Sequence, residues 1–256
     1  NYPTALYNAG RALENLGRFR EAVTRFSQLV SVWPTDHDSW NQLGQCKSRL
    51  GDSAGAISSY DAAIYINPFN ADFWYNKGFE LSRLSKTLLG PYMISMAGNK
   101  IFVDLAKVPV KVVHALADLN AEASGCYHRA RRLGAEDNDV VDGHTVSKQQ
   151  SQKMLEHLRG RLGEADFIRA TARVEFCEAF PIIQHVWAVV RKYHADTDFS
   201  YEPMLKRGFG KMETSHGLTY LKEWGRIQTV ALETFRVTHA DEISSYDPWR
   251  EITLHI

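Results

Sequence analysis

Cysteine is scarce: 256 residues hold only Cys46, Cys126 and Cys177, far apart and without a Cys-x-x-Cys pair. That excludes a disulfide framework and the commonest zinc and redox motifs, and it predicts a reducing, cytoplasmic compartment. An excess of either charge is also missing, since 30 Lys and Arg balance 30 Asp and Glu. With a pI near 7.3 there is no global positive field to gather phosphates, so general nucleic-acid binding is not expected. No apolar run reaches the roughly 20 residues that span a bilayer, and the N-terminus lacks the charged-then-apolar pattern of a signal peptide. The sequence starts at Asn1 rather than methionine, which predicts a fragment or a processed chain. Phosphate loops, nucleophile elbows and dinucleotide fingerprints are lacking too; Gly208-Phe209-Gly210 has neither the third glycine nor a preceding strand. No cofactor is therefore expected. What is present, 44% hydrophobic and 23% charged residues, is the composition of a chain that folds.

The chain matches itself at a shift of 34 residues. Leu6, Trp40 and Trp74 align, as do Asn8, Gln42 and Asn76, then Gly10, Gly44 and Gly78, then Leu16, Leu50 and Leu84. Later in the period Ala22 meets Ala56, Phe26 meets Tyr60, Val32 meets Ile66, Pro34 meets Pro68 and Asp36 meets Asn70. A glycine inside a helix costs about 1 kcal/mol relative to alanine. Gly10 and Gly44 are expected to offset this by letting Phe26 and Tyr60 pack on the bare backbone of a facing helix. Gly17 and Gly51 are placed to end the first helix of each pair in the left-handed conformation, and Pro34 and Pro68 to end the second.

These residues resemble the tetratricopeptide repeat family, with one repeat over 3–36, a second over 37–70 and a third starting at 71. Trp40, Leu43, Gly44, Leu50, Gly51, Ala56, Tyr60, Ala63 and Pro68 carry the match most fully. The resemblance implies an all-α fold, an α-solenoid of antiparallel helical hairpins in a right-handed superhelix. Residues 1–90 form its regular part, and 91–256 a degenerate or otherwise helical region. Pro91 falls where the third repeat should continue. Glu122, Ala123, Tyr127, Ala130 and Leu133 restore the spacing of a second repeat helix, whose first helix would cover Asp104 to Ala117 despite Pro109 and the strand-favouring Val110, Val112 and Val113.

Beyond this, residues 138–150 read as a polar loop, with Ser147 capping a helix to about Leu162. Phe167, Ala170, Val174 and Cys177, then Pro181 at a helix start with Ile183, Trp187, Val190 and Tyr193, read as a helical hairpin. Residues 197–214 read as a connection, and Leu218, Leu221, Trp224, Ile227, Val230, Ala231 and Phe235 as a last amphipathic helix. The tail 243–256 reads as a short strand or a cap.

His194-Ala195-Asp196 and His239-Ala240-Asp241 suggest a second function. A His-x-Asp pair with a distal histidine is the ligand set of a non-haem iron oxygenase, and His194 and Asp196 with His239 or His255 would supply it. Chance accounts for such triplets among ten histidines, and the expected helices do not suit a jelly-roll oxygenase. His157, His185 and His216 have no partner at helical spacing and read as structural. Arg129, Arg131 and Arg132 read as a solvated cluster at a helix end rather than a phosphate site. Trp40, Trp74, Phe26 and Tyr60 read as core.

The family resemblance places a binding groove on the concave face, lined by the first helix of each repeat. Its positions are Thr4, Tyr7, Asn8 and Arg11, then Asp38, Asn41, Gln42 and Gln45, then Asp72, Tyr75, Asn76 and Phe79. The row Asn8, Gln42 and Asn76 resembles the asparagine ladder of the O-linked N-acetylglucosamine transferase family, which would grip a peptide backbone. The alternative is that these amides only bond neighbouring helices. Capture of a chaperone's C-terminal carboxylate is not expected, because these positions supply Arg11 as the one cation and add Asp72. The expectation is thus a non-enzymatic scaffold or adaptor that binds a protein segment. Its rivals are a repeat-fused iron oxygenase and a subunit of a larger assembly whose C-terminal half packs back along the solenoid and fills the groove.

Overall fold

A computed structural model describes residues 2–96, 100–135 and 137–193. The helices are α1 (Tyr2–Asn15), α2 (Phe19–Val32), α3 (His37–Arg49), α4 (Ser53–Ile66), α5 (Ala71–Leu89), α6 (Val110–Arg132), α7 (Asn138–Arg159) and α8 (Glu164–Tyr193). Between α5 and α6 the chain makes one antiparallel hairpin, β1 (Met93–Met96) with β2 (Lys100–Val103), pairing Met93 with Val103 and Met96 with Lys100. The all-α solenoid reading holds, with this hairpin as a small insertion.

The repeat is built by the residues that the period aligns. Gly17 and Gly51 have φ of 71° and 82°, a conformation costly for other residues, so each first helix turns sharply into the second. A Cβ on Gly10 would stand 2.7 Å from Phe26 Cζ, and one on Gly44 would stand 2.5 Å from Tyr60 Cε1. Both glycines are therefore sockets for the ring opposite. The Trp40 indole donates to the Pro34 carbonyl at 2.9 Å, and Trp74 repeats this with Pro68 at 2.9 Å, tying each new first helix to the end of the pair before it. Asp52 and Asn70 cap α4 and α5 by accepting from the backbone N–H of Gly55 and Asp72.

Among the described residues three apolar clusters follow one another, as expected where each unit packs mainly on its neighbours. The first holds Phe26, Leu29 and Leu43, the second Tyr127, Trp74 and Ile64, and the third Leu116, Leu158 and Phe180. Trp40 packs against both the first and the second.

After α5 the sequence expectations need correction at four places. The partner of α5 is α6, one helix from Val110 that absorbs the valines, Val113 being fully buried; no separate helix covers 104–117. Residues 138–150 are the first half of α7, not a loop. Val140 and Ser147 are buried there, and Gly143 leaves room for the Tyr127 ring, 2.7 Å from where a Cβ would stand. The hairpin expected around Pro181 is instead the continuous α8, with the proline inside it. Pro181 packs on Gly125 of α6, which admits both the ring and the Glu178 carbonyl. Arg129 is fully buried rather than solvated, while Arg131 and Arg132 are exposed.

The helix α8 runs back over α6 and reaches α4. Arg173 Nε donates to Asp118 Oδ2 at 2.6 Å, Gln184 Nε2 donates to Asp61 Oδ1 at 2.8 Å, and the buried His185 joins the Pro68 carbonyl at 3.0 Å and Arg129 at 3.2 Å. Burial and the Arg129 charge push the His185 pKa well down, so it is neutral and serves structure. No helix among the described residues is long and apolar enough to cross a membrane.

Candidate functional site

The 34-residue period sets α1, α3 and α5 side by side with equivalent positions on one face. On α1, Tyr7 packs edge-on to Phe26 at 5.9 Å and Asn8 is exposed. Burial raises the Tyr7 pKa; Arg11 opposes this, while Asp38, Asp36 and Glu14 add to it. Arg11 reaches Glu14 Oε2 at 2.9 Å and Gln42 Oε1 of α3 at 2.8 Å. Asn41, which is buried, accepts at 3.0 Å from Asn76 Nδ2 of α5, and Gln45 is half-buried nearby on α3.

The expected ladder is therefore distributed differently. Asn8, Gln42 and Asn76 do not bond to one another; Arg11 joins α1 to α3, and Asn41 with Asn76 joins α3 to α5. For Gln42 and Asn76 the structure thus shows bonds between neighbouring helices, as the alternative reading expects. Gln42 and Asn76 are fixed by neighbouring helices through one end of the amide, which leaves the Gln42 Nε2 donors and the Asn76 Oδ1 acceptor directed by that contact.

Tyr75 stacks on Phe79 with centroids 6.5 Å apart and meets Tyr127 edge-on at 5.9 Å. Phe79 is 49% exposed on the same face. Burial raises the Tyr75 pKa, and the Asp139 and Asp137 carboxylates add to the rise.

The sequence reading missed the next wall of this face, on α7. A cavity of about 340 Å³ opens where α5, α6 and α7 meet. Leu89, Leu116, Met154 and Tyr127 give it apolar walls, while Lys86, Asp142, Val146 and Gln150 line it from α5 and α7. Ser82 of α5 and Ser147 of α7 meet across it at 3.2 Å. The signal available in the sequence was the spacing of Val140, Gly143 and Ser147, one apolar and two small residues on a single helical face.

The iron-ligand candidates His194, Asp196 and His239 lie outside the described residues, as do His216, the Gly208-Phe209-Gly210 stretch, the expected last helix over 218–235 and the tail 243–256. Helix α8 packs back along the solenoid against α4, α6 and α7 and meets α5 at Lys77 and Trp74, and it leaves Phe79 exposed.

Among known families, the model described as Tetratricopeptide repeat matches residues 7–78, and no family covers the rest of the chain. A search of curated proteins finds no match. The match spans α1 to the middle of α5, the stretch in which the glycine sockets and the indole bonds recur. It marks that stretch as a protein-interaction module in the general sense in which such repeats serve.

Proposed function

We propose that the face built by Tyr7, Asn8, Arg11, Asn41, Gln42, Gln45, Tyr75, Asn76 and Phe79 binds a peptide segment of a partner protein, and that the chain works as a scaffold or adaptor without catalysis. The observation that carries the reading is Phe79, an aromatic ring 49% exposed beside amides that neighbouring helices hold in fixed orientation. Fixed amides bind an extended backbone at low entropic cost, and an exposed ring supplies the apolar contact that makes such binding measurable. Three free, buried thiols support a reducing, cytoplasmic setting.

The test is selection of displayed random peptides on the full chain, followed by affinity measurement with the synthetic winners. The proposal expects enriched peptides whose affinity falls about tenfold or more in Phe79→Ala and several-fold in Gln45→Ala. Peptides that bind equally well to both variants would place recognition elsewhere.

A further inference from the structure

We propose that the cavity between α5 and α7 is the anchor subsite of the groove, and that it takes one large apolar side chain of a basic segment in the partner protein. This rests on the groove reading and adds the chemistry of the ligand.

The first observation is fit. About 340 Å³ lies at the low end of the range for small-ligand sites and accommodates one aromatic or long aliphatic side chain. The second is satisfaction of the polar groups around it. Asn120 Nδ2 donates to Ser85 Oγ at 2.7 Å and to the Leu116 carbonyl at 2.6 Å, and the Ser82 and Ser147 hydroxyls bond each other. Since these groups are already bonded, an apolar side chain displaces water without breaking their contacts.

The third observation is charge. Arg11 is neutralised by Glu14. Asp38, Asp72, Asp139 and Asp142 are exposed along the first helices and α7; against them stand Lys86, which lines the cavity beside Asp142, and Arg131 and Arg132 at the end of α6, while Lys148 of α7 is paired with Glu178. The exposed Phe79 ring, stacked on Tyr75, adds apolar contact beside these charges. Lysine or arginine beside the anchor residue meets this surface; acidic flanks are repelled.

Peptides selected on the full chain are measured by fluorescence anisotropy against wild type, Val146→Trp, and the double reversal Asp139→Lys with Asp142→Lys. Val146 is 50% exposed on the cavity wall, so tryptophan there obstructs the mouth without disturbing the core, and a thermal melt checks this. The expected result is a shared large apolar residue bracketed by Lys or Arg. Its replacement by alanine, or Val146→Trp in the protein, weakens binding about tenfold or more. The charge reversal weakens binding at about 50 mM salt and much less at about 500 mM. Enriched peptides that lack a common apolar residue, or that respond to Phe79→Ala but not to Val146→Trp, overturn the anchor and leave the groove reading standing. Absence of any enriched peptide overturns both. Self-association abolished by Val146→Trp names a second copy as the occupant and overturns the proposal.

Discussion

Lys77→Met tests what holds the junction of α4, α5, α6 and α8. The Lys77 side chain is 1% exposed, with Nζ 2.8 Å from Asp61 Oδ1 and 2.8 Å from Glu122 Oε1. It also donates to Gln184 Oε1 at 2.9 Å and lies over the Phe180 ring at 5.3 Å. Methionine keeps most of the stem but leaves two carboxylates facing one another. Removing one partner of a buried pair costs about 3–5 kcal/mol. Asp61 is 34% and Glu122 18% exposed, so water screens part of the loss and the lower end, about 3 kcal/mol, applies. For a chain of this size that lowers Tm by about 6–12 °C. Adding Glu122→Gln removes the orphaned charge and recovers about half of the loss, and a double-mutant cycle reads the coupling.

The pH dependence of this effect has a definite sign. Burial pushes the Lys77 pKa down, but Asp61 and Glu122 outweigh it and hold the ammonium well above its ordinary value. A cation whose pKa is raised by folding contributes stability that is fully present below the unfolded pKa and lost as pH rises through the folded one. The gap between wild type and Lys77→Met therefore stays level from about pH 6 to about pH 9 and closes only in strong alkali. A Tm within about 2 °C of wild type, or a gap that closes already between those pH values, would refute the reasoning.

Gly125→Ala drives a Cβ into the Glu178 carbonyl oxygen, and the α8 backbone cannot yield as a side chain could; overpacking of about 1–3 kcal/mol follows. Hydrogen exchange should show α8 losing protection while α1–α4 keep theirs, and a uniform loss along the chain would contradict this. Asp118 is pushed up to about 6 by burial, with Arg173 opposing. A carboxyl raised by folding binds its proton more tightly in the native state, so stability grows as pH falls through about 6, by up to about 2–3 kcal/mol. Denaturant midpoints of Asp118→Asn should lack the slope between about pH 4 and about pH 6, and retention of that slope rules out this group. Burial raises the thiol pKa of Cys46 to about 12 and pushes Cys126 and Cys177 up as well. A thiol reagent should thus react only as the chain unfolds, and rapid labelling of native protein would be the contrary result.

The regular repeats were legible because their determinants are local and recur. A left-handed glycine, a glycine under a ring and an indole over a proline carbonyl each sit at fixed offsets, so the period alone predicts α1 to α5 and with them the rows on α1, α3 and α5. The later helices obey tertiary demands that no local pattern displays. Gly143 and Ser147 look like loop residues, yet they are small because Tyr127 and Ser82 occupy the space above them. Pro181 looks like a helix start, yet α8 continues through it, and Gly125, 56 residues earlier, makes room for the ring. Val110, Val112 and Val113 favour strand by propensity, and packing overrides that preference in α6. The same misreading of α7 hid the far wall of the candidate site.

The place where the period lapses is also the place where the core changes character. One period before Lys77 stands Leu43, buried to 2% in the first apolar cluster. A leucine at 77 would bury as well, and replacing buried ion pairs by apolar groups is often neutral or stabilising. The charge is thus poorly explained by stability alone. Position 77 differs from position 43 in its surroundings: Asp61 of α4, Glu122 of α6 and Gln184 of α8 converge on the ammonium. Apolar contacts tolerate a helix sliding by a turn, whereas these bonds form only when α8 lies in one register. The lysine therefore specifies where α8 docks. A Lys77→Leu chain with Asp61→Asn and Glu122→Gln should match wild-type Tm within about 4 °C but show alternative α8 contacts by cross-linking between α8 and α4. A single wild-type pattern of cross-links in that variant would show that the apolar contacts of α8 are enough to fix its register.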